Sequence, residues 1–234
     1  MTQTLETPGE RPTAGAPEGP LASALRGFGP VGLLAIAIVL VAGALMTVAG
    51  AALALIWARL SRTSWADMGF ARPASWIRTL VAGVLFGVAF KLLLKAVVMP
   101  FLGAPPVNQA YHYLAGNTAA LPGMVLAVIV GAGFAEETFY RGYLFERLGK
   151  LLGKGAGEKT AIVSITSIPF ALAHYGQGVY GVEQAAITGA VFGAIFAVTG
   201  RLWTPIVAHA AFDLAALAII YWDVESTVAH LVFK

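Results

Sequence analysis

Val128-Ile129-Val130-Gly131-Ala132-Gly133-Phe134-Ala135-Glu136-Glu137, followed by Arg141, sets two adjacent carboxylates in the middle of an apolar run. A charge at the centre of a membrane helix costs about 2.5–3.5 kcal/mol on insertion scales, and neighbouring acids repel each other. Such a pair persists only if it is paired, protonated or put to work. Arg141 lies one helical turn beyond Glu137, where an ion pair forms along one face. Glu136 is left without a local partner.

The rest of the chain sets these charges in a membrane. Of 234 residues, 58% are hydrophobic and 12% charged, against about 25% charged in soluble domains. Mean hydropathy is +0.77. Stretches of the roughly 17–25 apolar residues that cross hydrocarbon recur at 29–57, 77–99, 121–147, 160–176, 183–200 and 203–221. A soluble protein with buried helices would show polar faces, and these segments show almost none. The expected fold is therefore all-α: a polytopic transmembrane helical bundle of about six to eight helices.

Residues 1–27 differ in kind. They carry Pro8-Gly9-Glu10-Arg11-Pro12 and few large apolar side chains, which predicts a disordered N-terminal tail ahead of a transmembrane domain over 28–234. The tail lacks the basic start of a signal peptide, and the apolar run that follows is long enough to stay as an anchor. Trp65 and Trp76 suit the headgroup belt, and Pro100, Pro105 and Pro106 end the second span. Gly83-Val-Leu-Phe-Gly87 and Gly189-Ala-Val-Phe-Gly193 are small-xxx-small faces that predict close helix packing.

No cysteine is present, which excludes disulfides and thiolate chemistry. The net charge of +3 reflects membrane topology and not nucleic-acid binding. Arg59, Arg62, Arg72 and Arg78 flank one connection, Arg147, Lys150, Lys154 and Lys159 another, and Arg201 a third, whereas 100–120 and 177–182 hold no Lys or Arg. The positive-inside rule places the basic loops in the cytoplasm, with both termini expected on the opposite side. The expected location is the cell (inner) membrane, crossed several times, with the lipid bilayer as the constant partner.

Three spans carry ionisable groups: Glu136, Glu137 and Arg141; His174 in Phe170-Ala-Leu-Ala-His174; and His209 with Asp213 in His209-Ala-Ala-Phe-Asp213. His209 and Asp213 share a helix face. Two chemistries suit two His, three carboxylates and one Arg. Glu136, His174, His209 and Asp213 offer the imidazole and carboxylate ligands of a divalent metal such as zinc, with a position left for water. Alternatively a buried Glu takes a proton from water while His groups hold a developing oxyanion, with no metal. Either way water attacks a carbonyl, most naturally that of a peptide bond. A serine route fits poorly: Ser167 and His174 are about 10 Å apart along one helix. No His-Glu-x-x-His motif is present.

Glu136-Glu137-x-x-x-Arg141, Phe170-x-x-x-His174 and His209-x-x-x-Asp213 resemble the three signature blocks of the CPBP family, the CAAX-protease and bacteriocin-processing or abortive-infection intramembrane peptidases. Phe139-Tyr140-Arg141-Gly142-Tyr143-Leu144-Phe145 is similar to the family's first block, and Gly193 to His209 to the run into its last. The resemblance covers about residues 120–220, with a family-like Gly-Phe-x-Arg-Pro turn at 69–73. It implies an endopeptidase that cuts a membrane-anchored or lipidated protein or peptide in a cavity open to one leaflet. By position, Glu136 would activate water with His174 as partner, and Glu137 and Arg141 would pair and align the site. His209 and Asp213 would orient water, stabilise the oxyanion or bind metal. Asp213 departs from the family's frequent Asn, which could donate a hydrogen bond where a carboxylate cannot.

Simpler readings stand beside this one. Glu137–Arg141 alone reads as a structural ion pair and His174 alone as a packed histidine. Lys91 and Lys95 read as side chains snorkelling to the far interface, the alternative being that one of them contacts a substrate carboxylate, and Tyr111, Tyr113, His112 and His230 read as interfacial. A proton-coupled transporter also buries Glu and His, although it usually shows broken helices in both halves. A non-catalytic scaffold or immunity protein remains the other class.

Overall fold

The computed structural model describes residues 19–233, and among them the chain is helical with no strand. Nine helices follow in order: α1 (Pro20–Arg26), α2 (Pro30–Leu45), α3 (Thr47–Leu60), α4 (Trp76–Phe101), α5 (Leu121–Leu152), α6 (Ala156–Leu172), α7 (Gly178–Thr199), α8 (Trp203–Tyr221) and α9 (Glu225–Ala229). The all-α bundle expected from the sequence is thus present. Four segments, α4, α5, α7 with its leading turn and α8, are long and apolar enough to cross a membrane. Their outer faces are lined by side chains such as Ile77 and Val198, 75% and 85% exposed. Apolar surface on that scale needs lipid as its solvent, so the chain is a multi-pass membrane protein.

The expected first span, 29–57, is instead two helices folded back on each other. Met46 takes an extended conformation and ends α2. A Cβ added to Gly50 would overlap the backbone of Gly43; along one continuous helix the two would lie about 10 Å apart. Small residues make this contact possible, and hydropathy, uniform across the hairpin, does not betray the turn. Phe139 of α5 packs into the same notch.

The tail expected over 1–27 is corrected at its end. Residues 1–18 lie outside the described residues, but Pro20–Arg26 form α1. The Trp57 indole donates to the Leu25 carbonyl, and Arg147 donates to that of Arg26. These contacts set α1 beside the basic loops. α9 lies at the other end, where Glu225 meets Lys95 and the Asn108 amide. The two ends of the described chain are therefore on opposite sides of the bundle, not on the same side as expected.

Glycines set the central packing. A Cβ on Gly83 would collide with Val207, and one on Gly87 with the Ala208 carbonyl, which brings α4 flush against α8. Gly189 receives Phe170 and Ser167, and Gly193 receives Val163, joining α7 to α6. Both small-xxx-small faces therefore pack as expected. Trp76 and Trp203 meet edge to face at 5.1 Å at the basic end.

Gly87→Ala should lower the melting temperature of the purified protein by about 2–10 °C, because overpacking costs about 1–3 kcal/mol. Gly123→Ala, which meets nothing within 4 Å, should leave it unchanged or slightly higher. Thermal unfolding of both variants in one detergent checks the pair.

Candidate active site

Adjacent residues on an α-helix point about 100° apart, and this geometry divides the two carboxylates. Glu137 faces the protein interior and is fully buried. Glu136 faces a cavity and keeps 20% of its side chain exposed. In this part of α5 the backbone winds in wide π-type turns over Ala127–Glu136 and Thr138–Leu144, a distortion that recurs at functional sites.

Glu137 Oε1 accepts two hydrogen bonds, from Arg141 Nη1 at 2.9 Å and from His209 Nδ1 at 2.8 Å. Gly133, one turn earlier, makes this reach possible. A Cβ there would stand 2.8 Å from the Ala210 Cβ, so α5 and α8 touch beside the site. An ion-paired carboxylate only accepts, so His209 carries a proton on Nδ1 and turns Nε2 toward the cavity. Nε2 lies 3.5 Å from Asp213 Oδ2 and 3.9 Å from Glu136 Oε2. Arg141 reaches on to α7, donating through Nη2 to the Gly189 carbonyl at 3.0 Å.

His174 follows the end of α6. Its Nδ1 donates to the Phe170 carbonyl at 2.8 Å, which leaves Nε2 as a free acceptor on the cavity wall. Phe170, 1% exposed, explains the aromatic four residues ahead. Its ring lies 4.5 Å from the Arg141 guanidinium and 4.8 Å from the His174 ring. Phe192 braces His209 from the other side at 5.0 Å. In the sequence Phe170 stands out only as part of the Phe170-x-x-x-His174 block and Phe192 only as part of the Gly189–Gly193 face, with no bracing role for either.

The cavity has a volume of about 520 Å³, with Glu136, His174, His209 and Asp213 all in its wall. All six residues singled out from the sequence thus converge: four on the cavity, with Glu137 and Arg141 directly behind. Ser167 is spent on the Val163 carbonyl at 2.7 Å, consistent with no nucleophilic role.

Two expectations are corrected. Tyr111 is not merely interfacial: it lines the cavity, and Gln177 Nε2 donates to its hydroxyl at 3.3 Å. Burial raises the Tyr111 phenol above its ordinary value, with the Asp213 charge adding to it. It therefore stays protonated, with its own O–H free to donate into the cavity. Lys91 does not snorkel outward. It is 8% exposed, turned onto the Phe212 ring at 4.8 Å and donating to Gln184 Oε1 at 3.2 Å. No acid lies within ion-pair distance of it among the described residues. Lys95, one turn nearer the mouth, pairs with Glu225 at 3.1 Å. Facing is hard to read for such residues, because a span apolar on all sides has no periodicity to show which side is inward.

Among the described residues no group of three or more His, Asp and Glu side chains is arranged to hold a metal ion. Glu136 Oε2 is nevertheless buried without a hydrogen-bond partner, a position that calls for a water or a substrate group.

Residues 118–215 match the family model described as type II CAAX prenyl endopeptidase Rce1-like. No curated protein and no solved structure gives a match.

Glu137→Gln removes the charge that balances buried Arg141, and breaking such a pair costs about 3–5 kcal/mol. It should lower the melting temperature sharply, whereas Glu136→Gln should leave it near wild type. Equal losses in the two variants would refute this division of roles.

Proposed function

We propose, from the match of residues 118–215 to the CAAX-type intramembrane protease family model, that Glu136 activates the water that cleaves a peptide bond in a membrane-anchored or lipidated protein or peptide. The observation that carries this reading is Glu136 Oε2: buried, without a hydrogen-bond partner, at a cavity wall beside two histidines whose tautomers are fixed by their neighbours.

The steps follow from the donors and acceptors available. Water sits against Glu136, with His174 Nε2 accepting its second hydrogen. Glu136 takes the first proton as the oxygen attacks the substrate carbonyl. His209, protonated on both nitrogens, keeps Nδ1–H on Glu137 and presents Nε2–H to the developing oxyanion. Glu136 then passes its proton to the leaving amine as the carbon–nitrogen bond breaks. Glu137 and Arg141 are positioning residues, and Asp213 holds the charge of His209 from the cavity side.

Lys91 adds a specificity element. A buried ammonium with only an amide partner favours an anionic group, and we assign it to a substrate carboxylate. The host location belongs to the same reading: the inner membrane of a cell that makes such membrane-bound peptides.

Glu136→Gln and His174→Ala should each cut turnover by about 10²–10⁴-fold with melting temperature preserved, measured as new protein termini in membranes carrying each variant at matched expression. A chelator series should leave turnover unchanged. If activity falls and zinc restores it, a metal held by Glu136, His174, His209 and Asp213 replaces the metal-free route.

Lys91→Met should raise KM for peptides ending in a free carboxylate about tenfold or more, with little change for the matched C-terminal amides. Equal effects on both peptide sets would remove Lys91 from substrate recognition.

A further inference from the structure

The two ends of the bundle carry very different charge. At one end lie Arg26 ahead of α2; Arg59, Arg62, Arg72 and Arg78 around the α3–α4 connection; Arg147, Lys150, Lys154 and Lys159 around the α5–α6 connection; and Arg201 between α7 and α8. Contacts hold this end together as one surface. Arg147 donates to the Arg26 carbonyl at 3.0 Å and stacks on Trp57 at 4.4 Å. The Leu202 amide donates to the Gly69 carbonyl at 2.8 Å, tying the α3–α4 connection to the α7–α8 one.

The opposite end is formed by residues 102–120, 173–177 and 222–233, and none of these connections contains a Lys or Arg. They too are joined: the Gly116 amide donates to the Tyr221 carbonyl at 2.9 Å, and Gln177 to Tyr111 at 3.3 Å. The cavity reaches these same connections. Pro105, Asn108, Gln109, Gln177, Glu225 and Ala229 surround it at this end. The lysines of this half, Lys91 and Lys95, sit on α4 inside the cavity wall and not in a loop.

Lys and Arg in short loops are retained in the cytoplasm during insertion, and among the described residues every loop that carries Lys or Arg is at the end away from the cavity. We propose that the cavity opens to the non-cytoplasmic face of the membrane, so that the peptide it takes is membrane-anchored with its scissile bond presented from outside. The substrate half of this inference rests on the peptidase reading; the orientation half does not.

The absence of cysteine makes the test direct. Ala119→Cys places one thiol on the cavity end, and Ala66→Cys places one on the basic end; both positions are exposed. Each full-length variant is treated, in spheroplasts, with a membrane-impermeant maleimide before and after permeabilisation. Labelling of Ala119→Cys in intact spheroplasts, with Ala66→Cys reacting only after permeabilisation, is the expected result. The reverse pattern, labelling of both before permeabilisation, or labelling of neither, overturns the proposal. Gln109→Cys and Gly157→Cys repeat the test should either first variant fail to accumulate. Because labelling needs no turnover, a wrong orientation and a failed peptidase reading give separate results.

Discussion

Everything around the cavity depends on a single oxygen, Glu137 Oε1. It is wholly buried and accepts from Arg141 on its own helix and from His209 on α8. Arg141 extends the chain of contacts to α7 through the Gly189 carbonyl. Three helices are thereby registered against one another by hydrogen bonds that leave little choice of partner. Burying such a cluster gains little stability against a well-packed apolar alternative. What it supplies is position: it fixes which nitrogen of His209 faces the cavity and how far α8 can slide along α5. The glycines follow from this demand, since Gly133 must lack a side chain for Glu137 to reach His209 at all.

Two neighbouring residues of identical chemistry end in opposite environments because one residue along a helix turns the side chain to another face. Glu137 is hidden, with its Oε1 holding Arg141 and His209. Glu136 is half-turned to a cavity, and its Oε2 has no partner within the protein. A pair of carboxylates separated in this way is a common starting point for a division between structural and reactive roles. Phe170 links the second signature to the first by physical contact, since its ring touches Arg141 and its carbonyl orients His174.

The polar residues of the site were legible in the sequence because charge inside hydrocarbon is costly enough to be meaningful wherever it occurs. Glu136, Glu137, Arg141, His174, His209 and Asp213 stood out on that ground and are gathered in space. The helical class was legible from the length and apolarity of the spans. The hairpin at Met46 was not, because α2 and α3 are equally apolar and no proline separates them. The inward turn of Lys91 and the place of Tyr111 on the cavity wall were also hidden. Both depend on which face of an element meets its neighbours, and a helix bathed in lipid does not encode that in a polar stripe. Hydrophobic patterning reports the solvent, and here the solvent resembles the core.

Asp213 fits this charge arrangement better than an amide would. Three carboxylates, Glu136, Glu137 and Asp213, surround His209 within 4 Å. Arg141 offsets one and protonated His209 a second. Lys91 lies in the wall of the same cavity. The acid and the lysine line one cavity, one on α8 and one on α4, and the two helices are held in register by the close approach of Gly87 to Ala208.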